Sequence, residues 1–194
     1  MNSRSMYLVL DMINDLVHED GPNGKGPYGE QARQRNIIEN TAAALKKARA
    51  AGVAIGFVRI GFSPDYRECP PNSPIFSGAR ENGIFKLGEW GTQVHPDLTP
   101  EVSEFDIIKH RVSPFYATSL EAVLRAARIG RIYCSGVSTN AVVQAMVREG
   151  HDRDYEMHVL EDCCGALSAQ EHDNSIQGLK RFATLTNSAE VEFG

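Results

Sequence analysis

A chain of 194 residues, 42% of them apolar, has the length and composition of one folded α/β domain and is too apolar for wholesale disorder. Its formal charge of -5 and its scattered Lys and Arg argue against nucleic acid and anionic membrane surfaces as partners. No apolar run nears the roughly 20 residues that span a bilayer. The first ten residues do not read as a signal peptide, so the expected location is the cytoplasm. The four cysteines, Cys69, Cys134, Cys163 and Cys164, show no CxxC spacing, and the adjacent pair cannot readily bridge, so neither a disulfide framework nor a zinc knuckle is indicated.

In chain order, Met6 to Leu10 is a continuous apolar run ending at Asp11, as in a buried parallel strand. Gly21 to Gly29 reads as a loop. Ile37, Ile38, Thr41, Leu45 and Ala48 recur at helical spacing until Gly52, and Val53 to Ile60 is a second strand. The segment from Gly61 to Gly91 is rich in Pro, Gly and Asn, and its aromatic residues Phe76, Phe85 and Trp90 suit a packed loop that covers a site. Phe105 to Ile108 leads into Lys109 as a third strand; Leu120, Val123, Leu124 and Ala127 mark a helix that Gly130 ends. Arg131 to Ser135 is a fourth strand, turning at Gly136-Val137-Ser138-Thr139 into a helix that runs to about Gly150. Met157 to Leu160 is a fifth strand, followed by a helix from about Ser168 to Phe182 and a brief strand at Ala183 to Leu185. This alternation predicts a parallel sheet with helices on both faces, in a single domain spanning residues 1–194.

Ligands of open parallel sheets bind beyond the carboxyl ends of the strands. That rim collects a carboxylate (Asp11), two cations (Arg59 and Lys109) and the Gly136 turn at a helix start. Arg59 and Arg111 are candidates to hold a substrate carboxylate, because a guanidinium pairs with it in bidentate fashion; Arg59, on the rim, is the better placed. Trp90, Phe115 and Tyr116 are candidate pocket walls, along with Phe62. Thr139 and Asn140 either bind substrate or cap the helix.

Five motifs then occur in order: Leu8-Val9-Leu10-Asp11-Met12-Ile13-Asn14-Asp15; Glu89-Trp90-Gly91 before His95-Pro96; Lys109 before Ser113-Pro114-Phe115; Gly136-Val137-Ser138-Thr139-Asn140; and Glu161-Asp162-Cys163-Cys164. Over essentially its whole length the chain resembles the isochorismatase-like hydrolases, a superfamily that includes nicotinamidases, carbamoylsarcosine amidases, biuret and ureidoacrylate hydrolases, and isochorismatases. The resemblance implies a three-layer αβα, Rossmann-like α/β fold with a six-stranded, mostly parallel sheet. It also implies an oligomer, a dimer or higher, and a cis peptide before Ser138.

In amidases of this group an Asp ending the first strand and a Lys ending the third attend a cysteine nucleophile. By resemblance these fall on Asp11 and Lys109, and the cysteine falls on Val142, six residues after Gly136. Valine has no nucleophile, so a thioester route through that position is closed. Isochorismatases lack the cysteine too and use the Asp as an acid on a vinyl ether, yet Ser138-Thr139-Asn140 is closer to the amidase turn. The resulting expectation is a hydrolase of a small, planar, anionic molecule at a vinyl ether or a C–N (amide or ureido) bond. Asp11 serves as acid or base and Lys109 assists, with water in place of the thiol. Backbone N–H groups at Ser138 and Val142 stabilise an oxyanion. A homologue that binds small molecules without catalysis and a cysteine amidase with a displaced thiol remain alternatives. The Asp-x-His pair that nicotinamidases carry after the second strand is missing from Ser63-Pro64-Asp65-Tyr66-Arg67-Glu68, and His95 and His110 lack partners at ligand spacing. No metal and no cofactor are expected.

Overall fold

The computed structural model describes residues 4–194. Its elements in chain order are β1 (Arg4–Leu10), α1 (Asn14–Val17), α2 (Pro27–Gln34), α3 (Ile37–Ala50), β2 (Ala54–Ile60), α4 (Ala79–Asn82), β3 (Phe105–Lys109), α5 (Leu120–Ala126), β4 (Ile129–Val137), α6 (Gln144–His151), β5 (Glu156–Gly165), α7 (Ala169–Leu179) and β6 (Thr184–Thr186). One wide helical turn, Thr139–Val143, joins β4 to α6. The six strands form one parallel sheet in the order β3-β2-β1-β4-β5-β6.

The apolar run of β1 is buried from both sides, which is why it does not alternate. Tyr7 and Val9 face a core built with Ile37, Leu45 and Ala48 of α3. Met6, Leu8 and Leu10 face a second core that includes Leu120 and Leu124 of α5, Met146 and Val147 of α6, and Leu179 of α7. Helices therefore cover both faces, and the fold expected from the alternation is the fold observed. Among the described residues no helix is long and apolar enough to cross a membrane.

Several boundaries differ from the sequence reading. The stretch read as a loop from Gly21 to Gly29 already contains the start of α2, with Pro27 in its first turn, where a missing N–H costs nothing. The fourth strand starts earlier than expected: α5 stops at Ala126, Arg128 takes a left-handed turn (φ 55), and Gly130 lies within β4. The fifth strand runs on through Asp162, Cys163 and Cys164, so that cysteine pair is sheet core and does not follow the strand.

Strand order reverses between β1 and β4, with β2 and β3 on one side and β5 and β6 on the other. A doubly wound sheet opens a crevice at such a switch point. Across it Leu10 pairs with Gly136. Gly136 has φ 155, and a Cβ there would collide with Leu10 backbone and side chain, so only glycine allows the strands to part this closely.

Candidate active site

Asp11 follows the last residue of β1 in a left-handed conformation (φ 55), and its N–H bonds to the Val58 carbonyl at 2.8 Å. That geometry turns the side chain across the strand ends. One carboxylate oxygen accepts from the Ile60 N–H at 2.7 Å; the other lies 2.8 Å from Lys109 Nζ. Lys109 reaches this point because it pairs in register with Ile60 at the end of β3. Its ammonium also donates to the Arg111 carbonyl at 3.1 Å, which leaves one of its three protons for a ligand or water. Both residues are buried, Asp11 at 4% and Lys109 at 2% exposure. Burial pushes the Asp11 carboxyl above its ordinary range; Lys109 and the Ile60 N–H oppose that rise without cancelling it.

The pair lines a cavity of about 140 Å³. Ser138 and Val142 share the wall, and the peptide between Val137 and Ser138 is cis. Val142 is 2% exposed, and its side chain offers no nucleophile. The long segment after β2 folds over the opening, with Phe76, Ile84 and Phe85 in the lining. Residues of the first motif hold that cover in place. The Asp15 carboxylate accepts from the Phe85 N–H at 2.6 Å, and Asn14 Nδ2 donates to the Trp90 carbonyl at 2.9 Å. A Cβ on Gly91 would strike the Asp15 carboxylate, which accounts for glycine after Trp90.

Asp11, Lys109, Ser138 and Val142 thus come together, and the other site candidates do not. Arg59 is engaged elsewhere: its guanidinium forks onto Asp106 of the neighbouring strand at 2.8 and 2.5 Å and also donates to the Thr92 carbonyl. Arg111 donates to the carbonyls of Glu68 and His110. Trp90 is 43% exposed and meets the edge of His18 at 4.9 Å, outside the lining. Phe62 is fully buried and stacks with the His110 ring. Phe115 is core, stacked on Tyr155 under the Arg153 guanidinium, and Tyr116 next to it is 62% exposed to solvent. Asn140 points outward to Glu171 at 3.2 Å. Conversely, Asn23 and Tyr28 line the cavity and escaped the sequence reading. The Gly26-Pro27 start of a helix was the signal that could have placed Tyr28.

Thr139 is wholly buried, and its hydroxyl lies 2.9 Å from His172 Nδ1. The other ring nitrogen meets Glu161 at 2.6 Å, and Arg35 closes the chain on the same carboxylate at 2.5 Å. This row fixes the turn that carries Ser138 and Val142. The His172 hydrogen bond, followed by the Arg35 guanidinium, holds the Glu161 carboxyl down to about 2 against partial burial. A carboxyl lowered on folding stabilises the fold above its unfolded value near 4.5, and that contribution disappears as pH falls toward 2. Acid unfolding of the wild type between those limits should therefore be steeper than that of Glu161→Gln, as followed by circular dichroism; parallel curves would remove Glu161 from the acid response.

The family follows from comparison with known proteins. The isochorismatase domain model matches residues 5–190. The chain belongs to the isochorismatase family of hydrolases. Ureidoacrylate amidohydrolase RutB of Methylorubrum extorquens is 33% identical over 170 residues, 81% of this chain and 68% of that protein. The uncharacterized isochorismatase family protein YecD of Escherichia coli O157:H7 is 32% identical over 196 residues, 98% of this chain and 96% of its own length. A cysteine hydrolase from Pseudomonas syringae pv. phaseolicola 1448A superposes with a TM-score of 0.87 at 23% identity, covering 96% of this chain and 90% of that one, which is a likeness of fold.

Proposed function

We propose that this member of the family hydrolyses the C–N bond of a small planar amide or ureido compound without a cysteine nucleophile. The observation that carries the reading is the buried Asp11–Lys109 pair in a cavity whose wall, at the place the resemblance reserves for the thiol, is Val142. Asp11 takes a proton from a water held against the spare Lys109 N–H, and that water attacks the carbonyl; as the tetrahedral intermediate collapses, Asp11 returns the proton to the departing nitrogen and the C–N bond breaks. Backbone N–H groups of Ser138 and Val142, at the start of the turn into α6, receive the developing oxyanion. The name of the ureidoacrylate amidohydrolase relative supports a ureido or amide bond over others. A vinyl ether is the second reading, and the burial that raises the Asp11 carboxyl favours it, because a raised carboxyl gives up its proton to a substrate at a pH closer to neutrality.

A displaced thiol finds little support. Cys134, Cys163 and Cys164 are fully buried, and burial pushes each thiol upward, Cys164 to about 12. Cys69 donates to the Phe76 carbonyl from outside the cavity lining. A panel of carboxamides, ureido compounds and enol ethers, assayed before and after iodoacetamide, tests the proposal. Turnover of a C–N substrate that survives alkylation is the expected result. Activity lost on alkylation restores the thiol, and stabilisation by ligands without any turnover makes the chain a binding protein.

A further inference from the structure

The charges of the cavity cancel before a substrate arrives. Its one ammonium, Lys109, is 2.8 Å from its one carboxylate, Asp11, and no Arg or His shares the lining. The guanidiniums that the sequence offered for a substrate carboxylate, Arg59 and Arg111, serve Asp106 and backbone carbonyls. Much of the remaining wall is apolar: Phe76, Ile84, Phe85, Val112 and Val142. An anion entering here sheds water without meeting an unpaired cation, and such a transfer is unfavourable.

Three polar side chains of the lining are without protein partners: Ser138, on the turn after β4, and Asn23 and Tyr28, across from the strand ends in the segment entering α2. Neither the Asn23 carboxamide nor the Tyr28 hydroxyl makes a hydrogen bond with another of the described residues, and both are partly exposed. Their backbone is held firmly. The Asn23 N–H bonds to the Asp15 carbonyl at 2.9 Å, the Asn23 carbonyl accepts from Gly26 at 3.0 Å, and Tyr28 sits in the first turn of α2. A carboxamide and a phenol each donate and accept, which matches the paired C=O and N–H of a neutral amide or urea.

We propose that Asn23 and Tyr28 determine specificity, selecting an uncharged planar amide or urea over the isosteric carboxylate. The inference rests on the hydrolase reading for the location of the site. It replaces the anionic substrate expected from sequence, because the cations behind that expectation are engaged elsewhere.

Calorimetric titration of the intact chain at neutral pH with two matched pairs, benzamide with benzoate and crotonamide with crotonate, tests it. Each amide should bind at least about tenfold more tightly than its acid. Tyr28→Phe and Asn23→Ala should each weaken amide binding about three- to tenfold, the worth of one hydrogen bond, at unchanged melting temperature. Acids that bind as tightly as the amides, amides that do not bind, or amide affinities indifferent to both substitutions would overturn the inference. The two readings fail separately. Amides bound with this preference but never cleaved sink the hydrolase and spare the selectivity, whereas faster cleavage of anionic ureido acids than of neutral ureas does the reverse.

Discussion

Asp11→Asn is expected to lose about 10²- to 10⁴-fold in turnover, the usual worth of a positioned acid or base. It should also lose stability, which the sequence alone did not suggest. With Asp11 4% and Lys109 2% exposed, the substitution leaves a buried ammonium with neutral oxygens only and no counter-charge. Removing one partner of a buried pair costs about 3–5 kcal/mol, and at this chain length about 1 kcal/mol moves the melting temperature by roughly 2–4 °C. The double variant Asp11→Asn/Lys109→Met separates the two effects. It should recover most of the lost stability, as neutral replacements of buried ion pairs tend to do, and remain inactive. Thermal unfolding beside a turnover assay reads both; a stable, active Asp11→Asn would take the carboxylate out of the chemistry.

Lys109→Met should make stability depend on pH in a direction set by Asp11. Burial already raises this carboxyl, and Lys109 supplies the largest opposing influence, so the substitution raises it further. A carboxyl whose folded value lies above its unfolded value, about 3.9, leaves the fold intact below that value and weakens it as pH rises through the folded one. Between the wild type's folded value and the variant's higher one, the deficit of Lys109→Met relative to wild type should widen by about 1.4 kcal/mol per pH unit, and below that interval it should stay constant. Urea unfolding from pH 4 upward measures it. A deficit that stays constant at every pH would mean that Asp11 and Lys109 do not share their charge in the folded protein.

How far the sequence carried depended on whether local pattern or long-range geometry decided each feature. β1 was legible because a five-residue apolar run between polar ends has few other uses, and Asp11 with it, because strand ends form the rim of a parallel sheet. Lys109 followed in the same way from β3. The misplaced contacts were those in which a side chain had a choice of partners. Arg59 ends a predicted strand as plausibly as Lys109 does, but Asp106 on the adjacent strand lies within its reach, and no local pattern announces that pairing. Thr139 looked like a cap or a ligand contact and is instead the end of a buried row reaching Arg35, more than a hundred residues away in sequence. Phe76 and Phe85 were flagged through the composition of their loop. Tyr28 was hidden by the glycines and prolines around it, which read as irregular chain although they lead into a helix. Asn14 and Asp15 stood in the first motif without a stated task; their bonds to Trp90 and Phe85 show that they tie the cover to the strand ends.

The central claim is that water attacks directly, with no covalent intermediate on the chain, and intact-protein mass spectrometry of samples quenched during turnover tests it most directly. The account predicts the unmodified mass at every time point, with all four cysteines, Cys69, Cys134, Cys163 and Cys164, still free thiols. A transient acyl or carbamoyl adduct mapped to any of them would contradict it.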